Sequence, residues 1–198
     1  MANLVAERAA RSGETAGRIL DVAERLLQER GFNAFSYADV AKELGITTAA
    51  LHYHYAGKAE LGEALILRYA ERFAQTLERI GASEDKALAQ LASYVELYAA
   101  LLEGGRMCLC GMLAAEFQTL SEAMRTRVTE FLEMNETWLM KLIGRGRSEG
   151  SMNVLGSARE IARTIVATLE GAMLVARPFG DARRFRSVAR HLLTELQS

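Results

Sequence analysis

A chain of 198 residues, half of them hydrophobic and a quarter charged, with a net charge of −1, has the make-up of a folded globular protein and not of a disordered one. It holds no run near the roughly 18 apolar residues of a membrane span. Its first residues, with Glu7, Arg8 and Arg11, lack the apolar centre of a signal peptide, so a cytoplasmic address and no membrane partner are expected.

One proline and an abundance of Ala, Leu and Glu point to an all-α fold. Two cysteines are too few for a structural zinc site, and no disulfide framework is expected of a cytoplasmic chain, so neither metal nor cofactor is anticipated.

Residues 1–14 show no apolar periodicity and read as a flexible arm. From Thr15, an N-cap residue type, Ala16, Ile19, Leu20, Ala23, Leu26 and Leu27 recur on one helical face until Gly31 stops the run. Ser36, with Asp39 three residues on, makes a capping-box pattern for a second helix whose stripe is Tyr37, Val40, Ala41 and Leu44. Gly45 then offers positive φ at little cost, and a third helix restarts at once behind Ile46 and Thr47. Two short helices joined by a glycine-centred turn make a helix-turn-helix. Ala41 is small enough for the helices to cross closely, with Ile46 and Leu51 as plugs between them. Leu51 and Tyr55 share the inner face, which leaves Thr47, Thr48, Ala49, His52 and Tyr53 outward.

A long helix over residues 57–80 carries Leu61, Leu65, Tyr69, Phe73, Leu77 and Ile80, and Ser83 is placed to cap the next. That next helix, over 84–103, turns Leu88, Leu91, Val95, Tyr98 and Leu102 inward, and Gly104-Gly105 breaks it. A shorter apolar segment follows from Met107 to Leu120. Ser121 caps a long helix with Met124, Val128, Phe131, Asn135, Trp138 and Leu142 in series, Asn135 being the polar exception. The helix over 157–177 is apolar on two sides, and one over 182–197 completes a set of about nine. The organisation expected is a three-helix domain at 15–60 running, within one helix, into a larger helical domain at 61–198.

The stretch Thr15 to Leu65 resembles the DNA-binding domain of the TetR/AcrR family of transcriptional regulators. The resemblance rests on Phe32 after Gly31, on Ser36-Tyr37-Ala38-Asp39-Val40-Ala41, on Gly45-Ile46, and on Leu51-His52-Tyr53-His54-Tyr55-Ala56-Gly57-Lys58. His52 departs from the family's commoner Tyr, and Ala56-Gly57 from its usual Pro-Ser type of turn. Carried over, the resemblance implies double-stranded DNA as partner, with Thr48, Ala49 and Ala50 toward base edges and Thr47 on the same DNA-facing side. His52 would reach a base edge or phosphate, and Tyr53, His54 and Lys58 would hold phosphates. Ser36 and Tyr37 would offer a phosphate the free N–H groups of a helix start. Arg8 and Arg11 would reach a groove from the arm.

It also implies a homodimer on a palindromic operator, since one short helix reads few bases. Ile165, Thr168, Ala172, Val175, Phe185, Val188, Leu192 and Leu196 of the last two helices would pair with their copies, Gly171 permitting close approach. The second domain would bind a small-molecule effector that releases the operator. Its candidate walls are Met107, Cys108, Met112, Phe117, Met134, Trp138, Met173 and Phe179, and its polar anchors Arg106, Glu116, Asn135 and Glu170.

Charge runs against this reading. The first sixty residues hold seven basic side chains against eight acidic ones, so only a local positive face can serve DNA. A helical small-molecule module without DNA binding is therefore the alternative from another class. A second alternative uses Cys108 or Cys110 as an electrophile or oxidant sensor, activated by Arg106 nearby. No nucleophile–base pair, metal-ligand spacing or phosphate loop points to an enzyme.

Overall fold

A computed structural model describes residues 2–82 and 86–197, with side chains from residue 12 onward. Its helices are α1 (Ala2–Arg30), α2 (Tyr37–Leu44), α3 (Thr48–His54), α4 (Lys58–Gly81), α5 (Ala87–Glu103), α6 (Leu109–Ala115), α7 (Glu122–Ser148), α8 (Ala158–Ala176) and α9 (Ala182–Gln197). Single 3₁₀ turns stand at Phe117–Thr119 and Arg177–Phe179, and the described residues form no strand. No described helix is long and apolar enough to cross a membrane.

The expected arm is a correction. Helix α1 is already formed at Ala2, so Thr15 lies inside it and does not cap it. An alanine-rich start supports a helix by propensity alone, without the apolar stripe that a periodicity reading looks for. The cap proposed at Ser83 falls outside the described residues. Where α5 begins, the N–H of Ala87 donates to the Glu149 carboxylate, which lies beyond the end of α7.

Ile19, Ala23, Leu26 and Leu27 of α1 meet Val40 and Ala41 of α2, Leu51 of α3 and Leu61 and Leu65 of α4 in a closed head, with Phe32 and Phe35 beneath the connecting loop. Further along, α4 hands Tyr69, Phe73 and Leu77 to the body, so one helix serves both cores. There Phe73 meets Phe131 edge-on at 5.2 Å and Tyr94 at 6.2 Å, aromatic contacts between α4, α7 and α5. Asn135 is satisfied at the centre of this core. Its amide nitrogen donates to the Phe131 carbonyl at 2.8 Å, and its oxygen accepts the Tyr94 hydroxyl at 2.9 Å. Ion pairs from Glu24 of α1 to Arg68 and Arg72 of α4 fasten the first helix along the fourth.

Helices α8 and α9 pack on each other and on the body. Ile165, Phe185 and Leu196 are 0 %, 0 % and 4 % exposed, which corrects their assignment to a dimer surface: they fill their own subunit's core. Thr168, Ala172 and Leu192 are half-buried. Val175 and Val188, at 63 % and 43 %, stand in solvent together with Phe179.

Candidate nucleic-acid interface

Local chemistry sets the pose of α3. Gly45 takes φ +66° and ψ +31°, the left-handed region where glycine is least strained, and the Ile46 N–H closes back on the Ala41 carbonyl at 3.0 Å. Thr47 caps α3 by accepting the Ala50 N–H at 3.2 Å. Leu51 is fully buried beneath the helix. Thr47, Thr48, Ala49 and His52 are exposed, Ala50 and His54 half-buried, and Tyr53 is 77 % exposed with its ring edge-on to His54 at 5.1 Å. The outward face read from the sequence is thus a continuous surface of hydroxyls, methyls, imidazole and phenol.

His52 is held on that surface. Its Nδ1 lies 3.0 Å from the Ala56 carbonyl, and since a carbonyl only accepts, Nδ1 carries the proton and Nε2 is left for an outside partner. Its ring rests on Tyr37 at 4.7 Å. Tyr37 in turn donates its hydroxyl to the Tyr55 carbonyl at 2.9 Å, and burial, aided by Glu60, pushes that phenol up to about 12. The Tyr37 side chain is therefore a strut under the reading face.

Two more assignments shift. Ser36 closes the capping box: its hydroxyl accepts the Asp39 N–H at 3.3 Å and donates to the Asp39 carboxylate at 2.6 Å. Those bonds hold Asp39 below the usual carboxylate range, and they place a negative charge where a phosphate was expected. Lys58 turns inward. Its ammonium donates to the Phe35 carbonyl and lies over the rings of Phe32 and Phe35, at 4.7 and 4.5 Å. Arg25 is paired with Glu29 and Glu43, whereas Arg18, Arg30 and Lys42 are exposed cations of the head. The side chains of Arg8 and Arg11 lie outside the described residues.

Behind the face is a joint that sequence reasoning missed. Glu116, just after α6, accepts the Phe32 N–H at 2.8 Å and the Asn33 N–H at 3.2 Å, and Asn33 donates to Thr119 at 2.8 Å. Gly31 at φ +98° leaves room for this, since a Cβ there would stand 2.7 Å from the Glu116 carboxylate. The Met107 N–H reaches the Gln28 carbonyl at 3.1 Å, and Arg177 donates to the Glu29 carbonyl. Glu116 is thus a link between head and body and not a ligand anchor.

The other ligand candidates do not converge on one cavity. Arg106 lines a space of about 240 Å³ between α1, α4 and α5, while Met107, Met112 and Glu170 line one of about 520 Å³ between α6, α7 and α8. Trp138 stacks on Tyr94 at the edge of a third, with Met134, and Phe117 lies beside the start of α7. Cys108, Asn135 and Met173 are core residues. The thiol-sensor alternative meets the same fact. Cys108 and Cys110 are buried, and burial beside Glu170 pushes both thiols up, away from the reactive thiolate. No group of three or more His, Cys, Asp or Glu among the described residues is placed to hold a metal ion.

The comparisons agree with this geometry. The bacterial regulatory protein model of the tetR family matches residues 19–65, and the tetracyclin repressor-like C-terminal domain matches residues 85–192. A TetR-family transcriptional regulator from Agrobacterium tumefaciens is 30 % identical, superposes with a TM-score of 0.91 and covers 94 % of this chain and 100 % of its own. The transcriptional regulator AcuR of Cereibacter sphaeroides is 26 % identical over 182 residues, 86 % of this chain and 82 % of its own. The nucleoid occlusion factor SlmA of Marinomonas sp. (strain MWYL1) is 25 % identical over 158 residues, 78 % of each chain. With its helix-turn-helix presented as described, the chain belongs to the TetR family and is a DNA-binding transcriptional regulator.

Proposed function

We propose that the protein is a homodimeric repressor that holds a palindromic operator and releases it when the body takes up a small molecule. The observation that carries this reading is the short, outward face of α3, seven residues with Leu51 as its buried anchor. Such a helix meets only a few base pairs, and useful affinity needs two of them in register. Thr48 and Ala49 supply a hydroxyl and a methyl for base edges, Tyr53 and His54 supply phosphate contacts, and the free Nε2 of His52, an acceptor, faces a base-edge donor. These groups are largely neutral, which answers the acidic balance of the head.

The partner surface is supported by Val175, Phe179 and Val188, apolar and exposed on α8, the turn after it and α9. Release is supported by the joint: the body holds the head through Glu116 and Arg177, so a ligand that moves α6 or α8 moves α3 with them. Selection from a random-sequence DNA duplex pool by the full-length chain tests the reading, followed by affinities over a salt series. A two-fold symmetric site with steeply salt-dependent binding is expected, and an asymmetric consensus overturns the dimeric repressor.

A further inference from the structure

Glu170 is a carboxylate in an apolar place. It lies on the flank of α8 that faces α6 and α7, at the edge of the 520 Å³ groove walled by Met107, Met112, Leu132, Val166 and Leu174. Its seat depends on Gly111 of α6: a Cβ there would stand 2.1 Å from Glu170 Oε2, so any larger residue displaces the carboxylate. The buried Cys108 thiol lies beside this carboxylate, whose charge helps push the thiol up. Oε1 is enclosed and has no hydrogen-bond partner among the described residues.

The other charges of the groove cancel, since Glu136 pairs with Arg163 at 3.2 Å across α7 and α8. Glu170 is therefore the groove's unpaired acidic group, and burial raises its carboxyl above the usual range. A buried acceptor without a donor is unfavourable in the empty protein and becomes favourable when a ligand brings the donor. An anion or a pure acceptor in the same place meets repulsion.

We propose that the groove between α6, α7 and α8 binds an organic monocation, an apolar amine whose ammonium pairs with the Glu170 carboxylate while its hydrocarbon lies against Met112, Leu132 and Leu174. A space of this size suits a small drug-like molecule. The inference names the chemical class of the effector and rests on the ligand-responsive reading above for its consequence: Gly111 lies in α6, and Glu116 at the end of that helix holds Phe32 and Asn33.

Calorimetric titration of the full-length protein without DNA tests the site, using 4-phenylbutylamine, 4-phenyl-1-butanol and 4-phenylbutyrate as probes of one shape. The amine is expected to bind at least tenfold tighter than the alcohol, and the acid not measurably. Glu170→Gln should lower amine affinity to that of the alcohol and leave the alcohol unchanged. Leu174→Trp, at an exposed position that leaves the core alone, should fill the groove and abolish binding of both. Equal or tighter binding of the alcohol or acid overturns the proposal, as does no binding by any probe or undiminished amine binding in either variant. Operator affinity is read separately. An amine that binds without changing it supports the site and sinks the release reading, while release by other molecules with no amine binding sinks the site.

Discussion

Glu116 Oε2 accepts the backbone N–H of Phe32 at 2.8 Å across 84 residues of chain, and at this bond the body of the regulator grips its head. The same carboxylate takes the Asn33 N–H, so two donors of the loop between α1 and α2 depend on one side chain from the end of α6. Hydrogen bonds to a charged group are worth roughly 1.5–3 kcal/mol each in net terms. Glu116→Ala is expected to lower stability in urea by about 2 kcal/mol. It should also leave operator binding intact but unresponsive to effector. Retained effector response in that variant would place the coupling elsewhere.

Lys58 gives a prediction opposite to a phosphate contact. Its ammonium is spent on the Phe35 carbonyl and the rings of Phe32 and Phe35. Lys58→Ala should cost about 1–2 kcal/mol of head stability. The slope of log affinity against log salt should stay unchanged. A slope shallower by about one would put Lys58 on a phosphate after all.

On the dimeric reading, the last two helices divide into core positions and interface positions. Val175→Asp, at an exposed position, is expected to give a folded monomer in sedimentation and to lose operator binding. Ile165→Ala, at a fully buried one, should leave the dimer intact and cost about 2–5 kcal/mol through the cavity it opens. The reverse pattern would exchange the two faces of α8.

The buried thiols and phenols set an alkaline limit. Burial raises Cys108, Cys110, Tyr69 and Tyr98 in the folded chain, so the unfolded chain gives up their protons first as pH climbs. Their contribution is whole below the ordinary thiol value of 9.0 and is lost progressively above it. Melting temperatures are expected to be flat from pH 7 to 8 on this account and to fall beyond pH 9. Iodoacetamide should label neither cysteine in the native protein within hours at pH 8. Rapid native labelling would reopen the thiol-sensor reading.

What was legible in the sequence was what short range decides. The Ser36–Asp39 box, the Gly45 turn and the Leu51 plug each depend on residues three to six apart, and all three are found in the structure. Lys58 and Glu116 were misassigned because their partners, the Phe35 carbonyl and the Phe32 N–H, are brought to them by chain reversal that no spacing reveals. Periodicity showed that α8 has two apolar sides but not which one its own core takes. So Ile165 was placed outward, while Leu174 was passed over although it precedes Val175 in an apolar run that Arg177-Pro178 closes. Helix propensity without a stripe hid the start of α1.

The account rests on the outer face of α3, and Tyr53 is its cleanest probe because the side chain is exposed and its ring contact is with neighbouring His54. The measurement is the affinity of full-length Tyr53→Ala for the selected operator, beside its melting temperature. A loss of tenfold or more with an unchanged melting temperature is predicted, as befits a hydrogen bond to a charged phosphate worth roughly 1.5–3 kcal/mol and made only with DNA. Wild-type affinity in that variant would contradict the assignment of α3 as the reading head.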